Sequence, residues 1–427
     1  MRSLGSRPLS SHARSTLRRW LVIVLAAAAS AALCSAQAQA QPLAKLDAKA
    51  TSAGPIVVDS AGNGYVTWLH PGSPETVMFC KIPANSSCKK PMTLPLPSGS
   101  DGEDDGTSQP FPVLAAGNQV WVVAPRYVRG DIIYWLSTNG GQSFEPPVDV
   151  TAPEDYADNT DVDQILLEPS EPFLGDVPPV AYFDIASSNP GLGFSWLPSN
   201  LVAGGSQKTG FQFESPGGGG IGGATLGEQP DGSPLEAYWL AGEPMEVRFY
   251  RQTAGNGTVT QLPQAWTGPT TVGDGYLPQL ASGPHGLFLA YEAYAHSNTS
   301  LVPSVLDVSA YDSATSTFGP PKALVTDPQS EVSLHSGGTV DENASTGELA
   351  VAWPKFAHSG TVMRLWTSSH GSAFKAVGHV AKVGFAYAGN AYLALNSKGN
   401  GFVTFQDHGG LELADLTPIK KAKKRRH

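Results

Sequence analysis

The sequence is poor in charge, in cysteine and in catalytic signatures. Only 15% of its 427 residues are Asp, Glu, Lys or Arg, and three are cysteine. It has no Gly-x-Ser-x-Gly elbow, no His-Glu-x-x-His pair and no phosphate-binding loop, so the common signatures of serine hydrolases, zinc peptidases and nucleotide enzymes are missing. Past residue 40 no hydrophobic run reaches the roughly 20 residues that cross a bilayer, so no transmembrane segment is expected. Basic residues are scarce: between 41 and 419 the only arginines are Arg126, Arg129, Arg248, Arg251 and Arg364. The formal net charge is −10; without the five arginines of residues 1–40 it is −15, and without the six lysines and arginines of 420–427 it is −21. A body that acidic repels nucleic-acid phosphates and tolerates cations and basic partners.

The first forty residues read as an export leader. Arg2, Arg7, Arg14, Arg18 and Arg19 form a basic n-region, 20–33 is an apolar run, and Ala-Gln-Ala stands at 36–38 and 38–40. This is the three-part order of a secretory signal. Leu33 precedes Cys34 where lipoprotein processing needs a small residue, so cleavage after Ala38 or Ala40 is expected. Arg18-Arg19 resembles a twin-arginine signal, but an ordinary n-region with two adjacent arginines reads the same and is preferred. The expected organisation is a signal peptide over 1–40, a folded body over 41–419 and a basic, disordered tail over 420–427. The protein is then secreted or extracytoplasmic, and its tail could hold it weakly to anionic envelope polymers or lipid.

Loss of Cys34 with the leader leaves Cys80 and Cys88. An even pair in an exported chain predicts a disulfide, and two ligands do not complete a zinc site. The segment between them carries Pro83, Asn85, Ser86 and Ser87, a turn that the bridge would staple.

What the chain has in abundance is glycine (47) and proline (35), with β-branched and aromatic residues spread between them. That mix suits many short strands joined by turns. A strand triplet recurs: Val66-Thr67-Trp68, Val122-Val123-Ala124, Val180-Ala181-Tyr182, Glu236-Ala237-Tyr238, Leu289-Ala290-Tyr291, Val351-Ala352-Trp353 and Val403-Thr404-Phe405. The copies start 56, 58, 56, 53, 62 and 52 residues apart. Large–small–large alternation fits the two-residue period of a strand, with the small residue letting neighbouring sheets approach.

A short apolar strand precedes several triplets, as at Pro55-Ile56-Val57-Val58, Pro112-Val113-Leu114, Pro172-Phe173-Leu174, Pro278-Gln279-Leu280 and Tyr392-Leu393-Ala394-Leu395. Gly- or Asn-rich turns join strand to triplet, and further strands follow, as at 132–136 and 362–366. Four strands per repeat make one blade of a β-propeller. The expected fold is therefore all-β, a seven-bladed propeller of four antiparallel strands per blade, with six blades as the alternative count. The last copy ends after Leu411-Glu412-Leu413-Ala414, so its missing fourth strand is expected from 43–46, closing the last blade with the N-terminal strand and removing an exposed edge.

Residues 137–144, Ser-Thr-Asn-Gly-Gly-Gln-Ser-Phe, resemble the Asp-box (BNR) repeat of the sialidase superfamily, Ser-x-Asp-x-Gly-x-Thr-Trp, with Asn139, Ser143 and Phe144 as mild departures. Weaker copies stand at 367–374 and 311–318. The resemblance implies a propeller whose boxes are structural turns away from the active face. It also implies a chemistry: three arginines clamping a carboxylate, a Tyr nucleophile activated by a Glu, and an Asp acid/base. The family's Arg-Ile-Pro motif is absent. Arg248 and Arg364 read as third-strand residues, and Tyr291 and Glu292, being adjacent in a strand, point to opposite faces. No catalytic residues are assigned, and a sialidase-like exo-glycoside hydrolase is kept only as the alternative to a binding scaffold.

Residues that follow the triplets should share one face: His70, Arg126, Asp184, Trp239, Glu292, Lys355, Asp407 and His408. Such a ring suits a polar ligand, a glycan or a protein, with Trp239 stacking on a sugar. Strand ends that are merely polar read the same way. The acidic connection Asp101-Gly102-Glu103-Asp104-Asp105-Gly106 partly resembles a calcium loop, with Asp101, Glu103 and Asp105 as the ligands for Ca2+. It lacks the closing Glu, since Pro112 stands there, and a solvated acidic loop is the preferred reading.

Overall fold

The chain divides into two compact units, Met1–Gln39 and Ala40–His427. Within the second, the computed structural model describes residues 43–51, 54–72, 75–84, 86–96, 110–115, 118–125, 132–150, 162–167, 179–184, 191–196, 209–212, 220–228, 234–241, 246–252, 266–283, 285–293, 305–326, 339–343, 345–357, 360–369, 374–383, 391–396, 398–407 and 410–416. The expected leader, the Asp101–Gly106 loop and the basic tail lie outside these residues.

The described regular elements are strands, and the sheets they form are antiparallel. The N-terminal strand is β1 (Leu43–Asp47). Sheet A is β2 (Ile56–Val58), β3 (Gly64–His70), β4 (Thr76–Ile82) and β5 (Met92–Leu94). Sheet B is β6 (Phe111–Ala115), β7 (Gln119–Pro125), β8 (Ile132–Ser137) and β9 (Val148–Val150). Sheet C is β10 (Val162–Leu167), β11 (Pro179–Asp184), β12 (Gly191–Trp196) and β13 (Thr209–Gln212). Sheet D is larger. It begins with β14 (Gly220–Glu228), β15 (Pro234–Ala241), β16 (Glu246–Gln252) and β17 (Trp266–Gly283). It continues with β18 (Gly286–Ala293), β19 (Val305–Asp312), β20 (Thr317–Phe318) and β21 (Lys322–Thr326). The first half of β17 pairs with β16 and the second half with β18, which fuses two meanders into one sheet. Sheet E is β22 (Thr339–Asn343), β23 (Glu348–Ala357), β24 (Gly360–Ser369) and β25 (Phe374–Val383). Sheet F is β26 (Ala391–Leu395), β27 (Gly401–Asp407) and β28 (Gly410–Asp415), with β1 as its outer strand. Leu43 stands opposite Ala414 and Lys45 opposite Glu412.

Each triplet lies in the second strand of a meander, and the alternation sets which neighbour each residue meets. Val66 and Trp68 pack toward sheet F, with Phe402, Leu411 and Leu413. Val122 and Ala124 pack toward sheet A. Leu289 and Tyr291 pack toward Ala237 and Val247 of the earlier half of D. Val351 and Trp353 meet the later half of D, and Val403 and Phe405 meet sheet E. The first and third triplet residues thus face the preceding meander. The middle residue faces the following one, as Ala290 does toward E and Ala352 toward F. Where the middle residue is threonine, its hydroxyl reaches a backbone carbonyl of the next sheet: Thr67 Oγ1 donates to Pro110 O at 2.6 Å, and Thr404 Oγ1 donates to Gly54 O. β10 lies beside β6 and β7, and β14 beside β10.

Sheet C corrects one expectation. Its first strand is β10, not Pro172-Phe173-Leu174, which lies outside the described residues. Ile165, Leu166 and Leu167 pair with Tyr182, Ala181 and Val180. The segment at 169–178 carries three prolines, which cannot donate to a ladder. Asp163 also belongs to β10.

The turns at one end of the sheets are built by side-chain caps. Asp59 Oδ1 accepts from the amides of Ala61 and Asn63, and Asn396 Oδ1 from those of Lys398 and Asn400. Gly62 and Gly399 take φ of 90° and 73° in these turns. In the turn over 137–144, Asn139 Oδ1 accepts from the amides of Gln142 and Ser143 at 3.0 Å, and Ser137 Oγ accepts from Gly141 N. Phe144 packs edge-on against Phe79 of sheet A at 4.7 Å, and Lys81 Nζ donates to Gly140 O. The turn therefore staples B to A. The disulfide Cys80–Cys88 is formed, with Cα atoms 6.0 Å apart, in the matching connection of sheet A.

Deleting residues 41–48 leaves β28 paired with β27 alone and exposes Leu411 and Leu413. The thermal midpoint is expected to fall by at least about 5 °C, measured by calorimetry on the deleted and intact chains.

Candidate functional site

The face on which second strands end is fixed by β3 and β1. Their last residues, His70 and Asp47, meet there: His70 Nδ1 lies 2.6 Å from Asp47 Oδ2. The same oxygen accepts from Trp68 Nε1 at 2.9 Å, and Oδ1 accepts from the Lys49 amide at 2.8 Å. Burial of Asp47 works to raise its pKa. The hydrogen bonds from His70, Lys49 and Trp68, with the charge of His70, outweigh that and hold the carboxyl below the ordinary aspartate range. Asp47 is largely enclosed, and His70 is 38% exposed. Nearby, Gln406 Nε2 donates to the carbonyls of Ala50 and Thr51, and Thr51 Oγ1 donates to Glu75. Sheets F and A are thus clasped along this rim.

At the same end of the sheets, Phe111 and Tyr392 come together. Phe111 opens β6 in sheet B, and Tyr392 is second in β26 of sheet F. Sheet A packs between those sheets, yet the two rings meet edge-to-face, 6.3 Å apart at 87°. The contact joins the first strands of B and F, both of which neighbour β2. Both residues are half-buried. They form an aromatic surface, flat on one ring and edge-on at the other.

The residues expected on this face are placed differently from one another. His70 ends β3, Asp184 ends β11 and Asp407 ends β27. Trp239 lies inside β15, opposite Gly223 and Val247, with two strand residues after it. Lys355 lies inside β23, opposite Val362. Glu292 is 1% exposed and accepts from Trp353 Nε1 at 2.5 Å. It bridges D to E instead of facing a ligand, because β18 continues through it to Ala293. Arg126, His408, Asp101, Glu103 and Asp105 lie outside the described residues. Among the described residues no group of three metal-binding side chains converges.

Three of the five body arginines stand on third strands: Arg248 and Arg251 on β16, and Arg364 on β24. Sequence reasoning missed Asp47, because the apolar strand was read as ending at Leu46. It also missed Phe111 and Tyr392. Their signal was their place at the start of first strands, immediately after a connection.

No protein-family model matches the chain, and no curated protein matches it in sequence. Solved structures resemble it in fold at low identity. One is a polysaccharide lyase of the PL25 ulvan lyase family bound to -[GlcA(1-4)Rha3S]-, at TM-score 0.51 and 10% identity, covering 87% of this chain and 94% of that one. The Dos1 propeller is similar at TM-score 0.49 and 9% identity, over 88% and 96% of the two chains. The Hadza microbial sialidase Hz136 is similar at TM-score 0.47 and 9% identity; 86% of this chain is covered, and it spans 65% of the sialidase. The architecture is that of an all-β propeller.

Hydrogen bonds to a charged carboxylate contribute about 1.5–3 kcal/mol each. Asp47→Asn is expected to lower stability by roughly that amount near neutral pH. Because the folded-state carboxyl is depressed, its contribution is present above the ordinary aspartate range and is lost as pH falls through the lowered value. The gap between the two proteins should close in acid, as measured by denaturant melts across that range.

Proposed function

We propose that this is an exported, seven-bladed β-propeller that binds carbohydrate at the centre of the face where second strands end. Counting the two halves of sheet D separately gives the seven blades. The first strands support a closed ring, since β26, β2, β6, β10, β14, β17 and β22 neighbour one another in that order and β22 neighbours β26. The leader read at 1–40 supports export.

The observation that carries the ligand reading is the half-buried Phe111–Tyr392 pair. Pyranose rings present flat C–H faces that stack on aromatic surfaces, while their hydroxyls take polar groups around the rim. His70, held by Asp47, is one such group on this face. That a ulvan lyase of similar fold holds an oligosaccharide fits the reading. The arginines on β16 and β24 sit two strands out from the centre, so the reading is binding without a carboxylate clamp.

The test is a binding screen against a panel of neutral, amino and uronate oligosaccharides, followed by calorimetry. Phe111→Ala and Tyr392→Ala are each expected to weaken binding roughly tenfold or more, the loss of a stacking aromatic, with the glycan recovered intact. Full affinity in both variants, or no binding by the parent, would sink the proposal.

A further inference from the structure

Each proton around Asp47 can be assigned to one atom. An indole N–H and a backbone amide only donate. Trp68 Nε1 lies 2.9 Å from Asp47 Oδ2, and the Lys49 amide lies 2.8 Å from Oδ1. Asp47 therefore accepts at both oxygens, the role of its charged form. His70 Nδ1 approaches the same Oδ2 at 2.6 Å. That approach is a hydrogen bond when the ring carries its proton on Nδ1, and a clash of lone pairs when it does not. The neutral ring then holds a lone pair on Nε2. Trp68 is 1% exposed, so order passes from the core through indole and carboxylate to the imidazole. Asp47 is enclosed and His70 partly exposed, so the ring edge that meets solvent is the one away from Asp47. Among the described residues no hydrogen bond reaches Nε2.

The neighbouring side chains on this rim have spent their donors. Gln406 Nε2 is bound to the carbonyls of Ala50 and Thr51, and Thr51 Oγ1 to Glu75 Oε1 at 3.1 Å. Lys45 pairs with Glu412 at 4.0 Å. What remains are the acceptors, Nε2 and the Glu75 carboxylate, with Lys49 exposed beside them. Asp407 ends β27 and adds an acid from sheet F. Thr67, three residues before His70, donates to the carbonyl of Pro110, which precedes Phe111. Three strand residues span about 10 Å, so one oligosaccharide can reach both His70 and the aromatic pair.

We infer that Asp47 fixes His70 as a proton acceptor, and that this face therefore selects sugars presenting a hydrogen-bond donor there, neutral or amino sugars, over uronates and sulfate esters. The inference rests on the carbohydrate reading. A hydroxyl or ammonium group brings the proton that Nε2 lacks. A carboxylate or sulfate brings only acceptors, and meets a lone pair backed by the Asp47 charge. His70 contacts the ligand in this arrangement, and Asp47 is a positioning residue.

The test begins with nitrogen NMR of the histidine rings in the full chain, the pH being raised until the His70 ring is neutral. The proton is expected on Nδ1. Calorimetry then compares gluco-, galacto- and manno-configured oligosaccharides with their amino, uronate and mono-O-methyl derivatives. O-methylation keeps the oxygen and removes the proton. At one ring position it should weaken binding roughly fivefold or more, and in His70→Ala the same methylation should have no measurable effect, as coupling of the two groups requires. The preference over uronates should persist in about 1 M sodium chloride, where general charge repulsion is screened. Asp47→Asn should raise the share of the Nε2–H form and weaken binding of the unmodified sugar. A proton on Nε2 in the parent overturns the inference. So does a methylation penalty that survives in His70→Ala, or a preference that vanishes in salt. Uronates bound as tightly as neutral sugars overturn the selection and leave the carbohydrate reading standing, whereas no binding by any sugar overturns both. If Asp47→Asn fails to fold, the parent's ring and His70→Ala decide the matter.

Discussion

The structure depends on the space left by one small side chain per meander. The middle triplet residue, Ala290 or Ala352 for instance, is what the following sheet rests on. Its neighbours on either side fill the gap toward the preceding sheet, with large residues in most meanders and with Val122 and Ala124 in sheet B. Because the three residues alternate, one choice at the centre determines both spacings. Thr67 and Thr404 occupy the same place with a somewhat larger side chain, and each adds a hydroxyl that satisfies a backbone carbonyl of the next sheet. A buried carbonyl left unpaired there would cost about 1–3 kcal/mol. A larger residue at the centre would push the next sheet away and open the layer that Val403, Phe405 or Trp353 now fills.

The same asymmetry explains what the sequence made legible. The triplets are readable because close approach of sheets permits few residues, and all seven lie in second strands. The N-terminal strand was readable because the last repeat lacks a fourth strand. Sheet C was misread because Pro172 and its neighbours resemble the other apolar openings, whereas β10 begins among acids. Glu292 was misread because a charged residue after a triplet looks like a strand end. Nothing local announces that a tryptophan 61 positions away will donate to it. Asp47 and the Phe111–Tyr392 pair share that difficulty. Their partners come from other sheets, and pairing between sheets leaves no periodic trace in the sequence.

Acids in this molecule divide into two kinds. Some are held by donors: Asp47 by an indole, an imidazole and an amide, and Asp59 by two amides, a side-chain amide and the Tyr65 hydroxyl. These favour the charged form and tie strands and turns together above the acid range. Others, Asp341 and Glu342, sit on an inner strand where burial outweighs the hydrogen bonds they accept, and favour the neutral form. The two kinds act in opposite directions with pH, so the fold is most secure between their ranges. The Phe111–Tyr392 pair carries no carboxyl, so that surface keeps its character through the range in which the acids titrate.

The pairing of β1 with β28 also orders the making of the molecule. Among the described strands β1 is synthesised first, and its partner is synthesised last. Throughout synthesis Leu43–Asp47 has no ladder to join, while the strands of sheets A to E pair with strands close to them in sequence. Long-range pairing of this kind is slow relative to local hairpins. The final sheet therefore forms late, and until it does, β28 presents an open edge to any extended chain that reaches it first.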